Sequence, residues 1–226
     1  MTVALANLKW VLGSLLENDR QFQYYSKCAD LSNVAAKRDG DVVKIRFEFG
    51  DENSYDGVLK FAKNEAEVLF YKTYSIQSDF PLPRYVSSHK NMLLIQNMEP
   101  YGVTNTTYLG LKKQQVFNLA IHLSDLHAFH LLSHSNTSLW LPEERPITVD
   151  EFQLAVSDVD SVLSSGDVSS LCSYLKLHQS TSKKEDLKPV CVHGNFTTDV
   201  IFWEKDEEGD PKNIVAAVVG WNGVHL

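Results

Sequence analysis

Residues 57–74 read "GVLKFAKNEAEVLFYKTY", and the hydrophobic period changes midway. The first part alternates as a strand does, with Val58 and Lys60 on one face and Leu59 and Phe61 on the other. Further on, Ala66, Leu69, Phe70 and Tyr74 recur at helical spacing. The stretch predicts a strand running through a short connection into a helix.

Upstream, "DVVKIRFEFG" (41–50) alternates with Val43, Ile45, Phe47 and Phe49 on one face. "SNVAAKR" (32–38) is a shorter strand, and "GDENSYDG" (50–57) is a turn-rich connection. These strands form an antiparallel meander. Ahead of them, "LANLKWVLGSLLEND" (5–19) carries a helical apolar stripe.

Downstream, the prolines of "DFPLPRYVSS" (79–88) favour extended chain. "NMLLIQNM" (91–98) reads as a buried strand and "EPYGVTNTTYLG" (99–110) as a loop. "LKKQQVFNLAIHLSDLHAFHLL" (111–132) is the strongest helix, with Val116, Leu119, Ala120, Leu123, Leu126 and His127 on its predicted inner face. Pro142 and Pro146 close that region, residues 148–180 predict one or two more helices, and "STSKKEDLK" (180–188) predicts an exposed connector. "VCVHG…VIFWEK" and "NIVAAVVGW" predict two final strands around the turn "DEEGDPK". Strands grouped early and helices grouped later predict an α+β protein of two lobes, with a linker near 97–110.

The bulk properties narrow the function. The net charge of −8 provides no broad basic footprint for nucleic acid. No run approaches the roughly 20 apolar residues of a membrane-spanning helix. Cys28, Cys172 and Cys191 are scattered and odd in number, which fits reduced thiols in the cytoplasm rather than a metal cluster. His122, His127, His130 and His134 lie along one predicted helix, but no HExxH-type acid accompanies them. Ser124, Asp125 and His127 do not make a catalytic triad on sequence grounds, since triads are defined by geometry.

In order along the chain, "WVLGSLLENDRQF", "GVLKFAKNEAEVLFYKTY", "FPLPRYVSS", "NMLLIQNM", "LAIHLSDLHAFH", "VCVHGNFTTDVIFW" and "IVAAVVGWNGVHL" resemble the choline/ecdysteroid-kinase-like (CHK kinase-like) family, relatives of aminoglycoside phosphotransferases. The resemblance covers nearly the whole chain. It implies a protein-kinase-like bilobal fold, with a small, mostly antiparallel N-lobe over residues 1–97 and a partial helical C-lobe over residues 98–226. Because family members continue beyond the last strand, it also implies an incomplete C-lobe, from a truncated relative or a fragment. The implied family activity is transfer of the ATP γ-phosphoryl group to a small-molecule hydroxyl.

The resemblance also assigns places. Lys60 becomes the phosphate lysine, with Lys44 as rival, and Glu67 its partner, with Glu65 as alternative. Gln96 and Met98 fall at the nucleotide hinge. His193 falls in the catalytic loop as a structural residue. The catalytic aspartate falls on Asn195, whose amide cannot act as a base. The metal-binding asparagine falls on Val200 and the metal-binding aspartate on Gly220, which leaves Mg²⁺ without its usual ligands. Asp199, one residue before Val200, points to the opposite side of an extended chain. "CADLSNVAAKRDG" (28–40) lacks glycine before Gly40, so it makes a poor phosphate-covering loop; Ser32 and Asn33 could donate hydrogen bonds there, but an ordinary strand entry is the favoured reading.

The sequence therefore predicts a catalytically inactive small-molecule kinase relative that retains an ATP- or ligand-sized cleft. The alternatives are an active phosphotransferase with an atypical metal site and a non-enzymatic interaction module. A nucleotide or small molecule is the expected partner, with neither nucleic acid nor membrane; no protein partner is indicated.

Overall fold

The computed structural model describes residues 5–105, 110–133, 166, 169–170, 172–173 and 190–224. Met1–Leu141 and Cys191–Leu226 form one unit, and Pro142–Val190 forms a second. The described residues of the second unit are helical apart from Val190, and Ser170 and Ser173 each donate a hydroxyl hydrogen bond four residues back along the chain, to Gly166 and Ser169. The connector at 180–188 and the prolines at 142 and 146 lie outside the described residues.

In the first unit, helix α1 (Leu5–Asn18) buries Val11 and Leu15. The leading segment is two helices rather than one, because Asp19 interrupts it. Its backbone is extended, and its carboxylate caps α2 (Arg20–Cys28) by accepting from Phe22 N at 2.9 Å. The same buried carboxylate accepts from the Tyr55 hydroxyl at 2.5 Å and pairs with Arg84.

Five antiparallel strands follow: β1 (Leu31–Asp39), β2 (Val42–Phe49), β3 (Ser54–Phe61), β4 (Tyr85–His89) and β5 (Met92–Gln96), in the order β1-β2-β3-β5-β4. The meander is as expected, except that β3 begins inside the predicted turn, at Ser54. The alternation in β2 holds: Val43, Ile45, Phe47 and Phe49 are buried with Tyr55 and Leu59 against α1 and α2. Phe22 meets Phe47, Phe49 and Tyr55 edge-on at 5.2–5.5 Å. Each fully buried large side chain of this kind contributes about 1.5–3 kcal/mol. The opposite face of the sheet therefore carries Lys44 and Lys60, in the registers Lys44↔Val58 and Val42↔Lys60.

Helix α3 (Glu65–Gln77) starts at Asn64, whose side chain accepts from Glu67 N at 3.0 Å. It buries Phe70, Tyr71 and Tyr74 in a second core with Leu93, Ile95, Trp203 and Trp221. Phe70 stacks on Trp221 with ring centroids 3.9 Å apart.

A second sheet contains β6 (Gly102–Thr104), β7 (Ile201–Lys205) and β8 (Pro211–Val218), all antiparallel. Strand β6 lies in the segment expected to be a loop. Three residues give no periodicity, and pairing with β7, about a hundred positions away, creates the strand. The residues before Gly194 do not form the expected strand. Only Val192 bridges, and Gly194 turns the chain with φ +80°.

Helix α4 (Lys113–Leu132) is present, but its inner face differs from the expectation. Leu119 and Leu126 are buried, whereas Val116 and Ala120 are exposed and Gln115 is fully buried. The Gln115 amide explains the rotation. It donates to the Lys212 carbonyl at 2.9 Å and accepts from Lys112 N at 2.9 Å and Asn105 Nδ2 at 3.1 Å. Among the described residues, no helix is long and apolar enough to cross a membrane.

Candidate functional site

Lys60 and Glu67 meet in a buried ion pair, 7% and 0% exposed. Strand β3 directs the lysine, and the first turn of α3 directs the glutamate. The rival residues go elsewhere: Lys44 pairs with Glu99, and Glu65 is exposed. Burial pushes the Glu67 carboxyl above its ordinary value, although the Lys60 charge and hydrogen bond oppose the shift. Its second oxygen makes no hydrogen bond within the protein. One turn on, Tyr71 is fully buried; burial, reinforced by the Glu67 charge and opposed by a hydrogen bond with the Gly220 backbone, raises its pKa.

The turn next to Lys60 is Gly40–Asp41, which closes β1 tightly onto β2. Asp41 O accepts from Phe61 N at 2.8 Å, and the Asp41 charge adds to the upward shift of Glu67. Ser32 and Asn33 lie at the far end of the hairpin and donate to Glu48, at 2.9 and 3.0 Å. Among the described residues, no glycine-rich backbone cradle covers the Lys60 end, and the acid there opposes a phosphate.

Gln96 and Met98 lie at the end of β5. Gln96 is in register with Gly57, three residues along β3 from Lys60, or about 10 Å. The Met98 carbonyl accepts from Tyr101 N at 3.0 Å and Gly102 N at 2.9 Å. Both residues border an open cavity of about 500 Å³ shared with Tyr101, Glu204 and Lys205.

His193 is buried. Its Nε2 donates to the Val219 carbonyl at 2.7 Å, and its Nδ1 accepts from Asn195 N at 3.3 Å. That arrangement requires the neutral ring, and burial lowers the pKa accordingly. The ring lies 4.5 Å from Trp221 and 5.2 Å from Phe196, so His193 pins the loop to the C-terminal segment. Asn195 itself is exposed, as is Asp199, which lies in a single 3₁₀ turn, Thr198–Val200.

The structure brings Val200 and Gly220 together. Val219 N donates to the Val200 carbonyl at 2.9 Å. Gly220 is left-handed, with φ +80°, and a Cβ built on it would stand 3.0 Å from Val200 Cγ1 and 3.8 Å from His193 Cε1. Gly194 and Gly223 also touch: a Cβ on Gly194 would lie 2.1 Å from the Gly223 carbonyl oxygen. Glycine at both partners lets two backbones meet without side chains between them. Sequence reasoning missed this contact, although the two glycines were its only available signal.

Mg²⁺ requires a near-octahedral set of oxygens. At the three places read from sequence, the side chains offer one amide oxygen, on Asn195, and otherwise a methyl-bearing group and a hydrogen. These residues do not fit a kinase-type magnesium site.

No protein-family model matches the chain, and no curated protein matches it in sequence. Solved structures match it in fold. A choline kinase from Cryptosporidium parvum gives a TM-score of 0.52 at 10% identity, over 96% of this chain and 65% of that one. An ethanolamine kinase from Plasmodium vivax gives 0.50 at 13% identity, over 94% and 68%. An aminoglycoside phosphotransferase solved with streptomycin and ATP gives 0.45 at 13% identity, over 92% and 71%. The chain has the bilobal, α+β protein-kinase-like fold that small-molecule kinases also adopt. It spans 65% of the choline kinase's length.

Proposed function

We propose that this chain is a catalytically inactive relative of small-molecule kinases, one that keeps a nucleotide-sized binding site and has lost the chemistry. One observation carries the reading: the buried Lys60–Glu67 pair is intact, while Val200 packs into the space a Gly220 side chain would need. Burying a charged pair is costly, and breaking one by losing a partner costs more, so such a pair persists where its geometry is used or wholly replaced. On this reading Lys60 meets a ligand phosphate, and Met98 and the Gln96 backbone border the base, the Gln96 side chain pointing with Gly57 to the other face of the sheet. Residues 1–97 act as the small lobe and residues 98–226 as part of the larger one.

Binding here is independent of magnesium. Asn195 can donate or accept a hydrogen bond but cannot remove a proton from a hydroxyl. Loss of the base and both metal ligands together leaves phosphoryl transfer near background. We place the protein in the cytoplasm, where free thiols such as Cys28, Cys172 and Cys191 stay reduced. The test is a nucleotide titration with EDTA and with Mg²⁺, alongside a transfer assay on choline, ethanolamine and aminoglycosides. Metal-independent binding without turnover supports the reading. Magnesium-dependent turnover overturns it in favour of an active enzyme using an acid such as Asp199.

A further inference from the structure

Lys44 does not act as a second phosphate lysine. It lies on the same face of the sheet as Val58 and Lys60, opposite Val58 in register. Its partner Glu99 follows β5, on the far side of β3. Strands β2 and β5 both flank β3, so the ion pair joins β2 to the turn that follows β5, across β3. The paired residues, with Lys37, Asp56 and Asn97, border an open cavity of about 240 Å³.

Glu99 is held from three directions. Its carboxylate meets Lys44, its N–H donates to Asn97 Oδ1 at 3.2 Å, and its carbonyl accepts from Lys205 Nζ at 2.5 Å. Lys205 belongs to β7, in the second sheet. One residue of the turn after β5 thus links β2 of the larger sheet to β7 of the smaller.

We propose that Lys44–Glu99 is an ionic latch across the ligand face, closing the turn at 97–101 over the sheet and limiting access to Val58 and Lys60. The inference rests on the proposed nucleotide site at Lys60. The paired side chains are 39% and 52% exposed, so solvent and salt weaken the bridge, and the latch acts as a graded restraint rather than a lock. A ligand that enters over Val58 toward Lys60 must part Glu99 from Lys44, and releasing Glu99 loosens the turn.

The test compares the full chain with Glu99→Gln, Lys44→Met and the charge-swapped pair Lys44→Glu/Glu99→Lys. Glu99→Gln keeps the backbone bonds to Asn97 and Lys205. Two quantities are read: amide hydrogen exchange in β2 and residues 97–101, and affinity for ATP in EDTA. Both single variants are expected to exchange faster in both segments, and Glu99→Gln to bind ATP about threefold to fivefold more tightly, while the swap restores wild-type exchange. Unchanged exchange in both single variants overturns the latch. Faster exchange with no ATP binding by any protein keeps the latch and defeats the nucleotide reading. Faster exchange with unchanged ATP affinity overturns the gating role.

Discussion

Val200 Cγ1 stands 3.0 Å from the place a Cβ on Gly220 would occupy, and Val219 N donates to the Val200 carbonyl at 2.9 Å. The two positions assigned to metal ligands are therefore neighbours in space, and they are joined by an apolar contact. The backbone hydrogen bond between Val219 and Val200 holds the two positions side by side.

That contact predicts coupling. Gly220→Asp alone destabilises by about 1–3 kcal/mol, because the new Cβ overpacks against Val200. The left-handed φ of +80° adds backbone strain to this cost, less for aspartate than for most residues. Val200→Ala relieves the crowding, so the double variant is more stable than the sum of the single changes by at least about 0.5 kcal/mol. Urea melts of the four proteins measure the coupling, and strict additivity would contradict the contact.

Gly194→Ala is more damaging. The Cβ would meet the Gly223 carbonyl oxygen at 2.1 Å from a residue at φ +80°. Backbone on both sides leaves no side chain to yield, and a loss of about 3 kcal/mol or more is expected. A melt within 1 °C of wild type would show that the loop and the C-terminal segment do not meet in this way.

Lys60→Met leaves Glu67 buried without its partner. At neutral pH the loss is about 3 kcal/mol, and Glu67→Gln in the same chain recovers much of it. The Glu67 carboxyl is raised above its ordinary 4.5, so between that value and its folded value the native state binds the extra proton. Stability from this group rises as pH falls through that interval and is lost above it. The penalty of Lys60→Met should therefore shrink toward pH 5, and a penalty independent of pH would argue against a charged buried pair.

His193 has the opposite sign. Burial lowers its pKa below 6.5, so just beneath that value the unfolded chain takes up a proton that the native ring refuses. Stability falls as pH drops through this range. His130 is lowered by burial too and adds to the slope, with the nearby His127 charge as its second cause. His193→Gln, which can still donate to the Val219 carbonyl, should flatten part of the loss between pH 7 and 5. An unchanged profile would remove His193 as a contributor.

The parts legible in the sequence were those with local causes. Strand β2 declared itself through Val43, Ile45, Phe47 and Phe49, and α3 through Phe70 and Tyr74, because pleat and helix periods are intrinsic to the chain. Strand β6 was hidden because three residues become a strand only when β7 arrives to pair with them. The inner face of α4 was misjudged at Val116 because hydrophobicity ranked it above Gln115, whose amide bonds Lys212 and Asn105, farther along the chain, as well as the nearby Lys112. At the candidate site, residue type showed an amide at Asn195, an isopropyl group at Val200 and no side chain at Gly220, the positions that the resemblance assigns to the acid and the metal ligands. It left Lys60 and Lys44 unresolved, since both are strand lysines; the partners Glu67 and Glu99 separate them only in three dimensions.

The most direct test of a ligand site without its metal is a thermal-shift titration with ATP, run once in EDTA and once in Mg²⁺. Binding to the native state must raise the melting temperature. We expect the same rise in both buffers, and its loss in Lys60→Met/Glu67→Gln. A rise that appears only with Mg²⁺, or no rise beside a clear cooperative melt, would contradict the account.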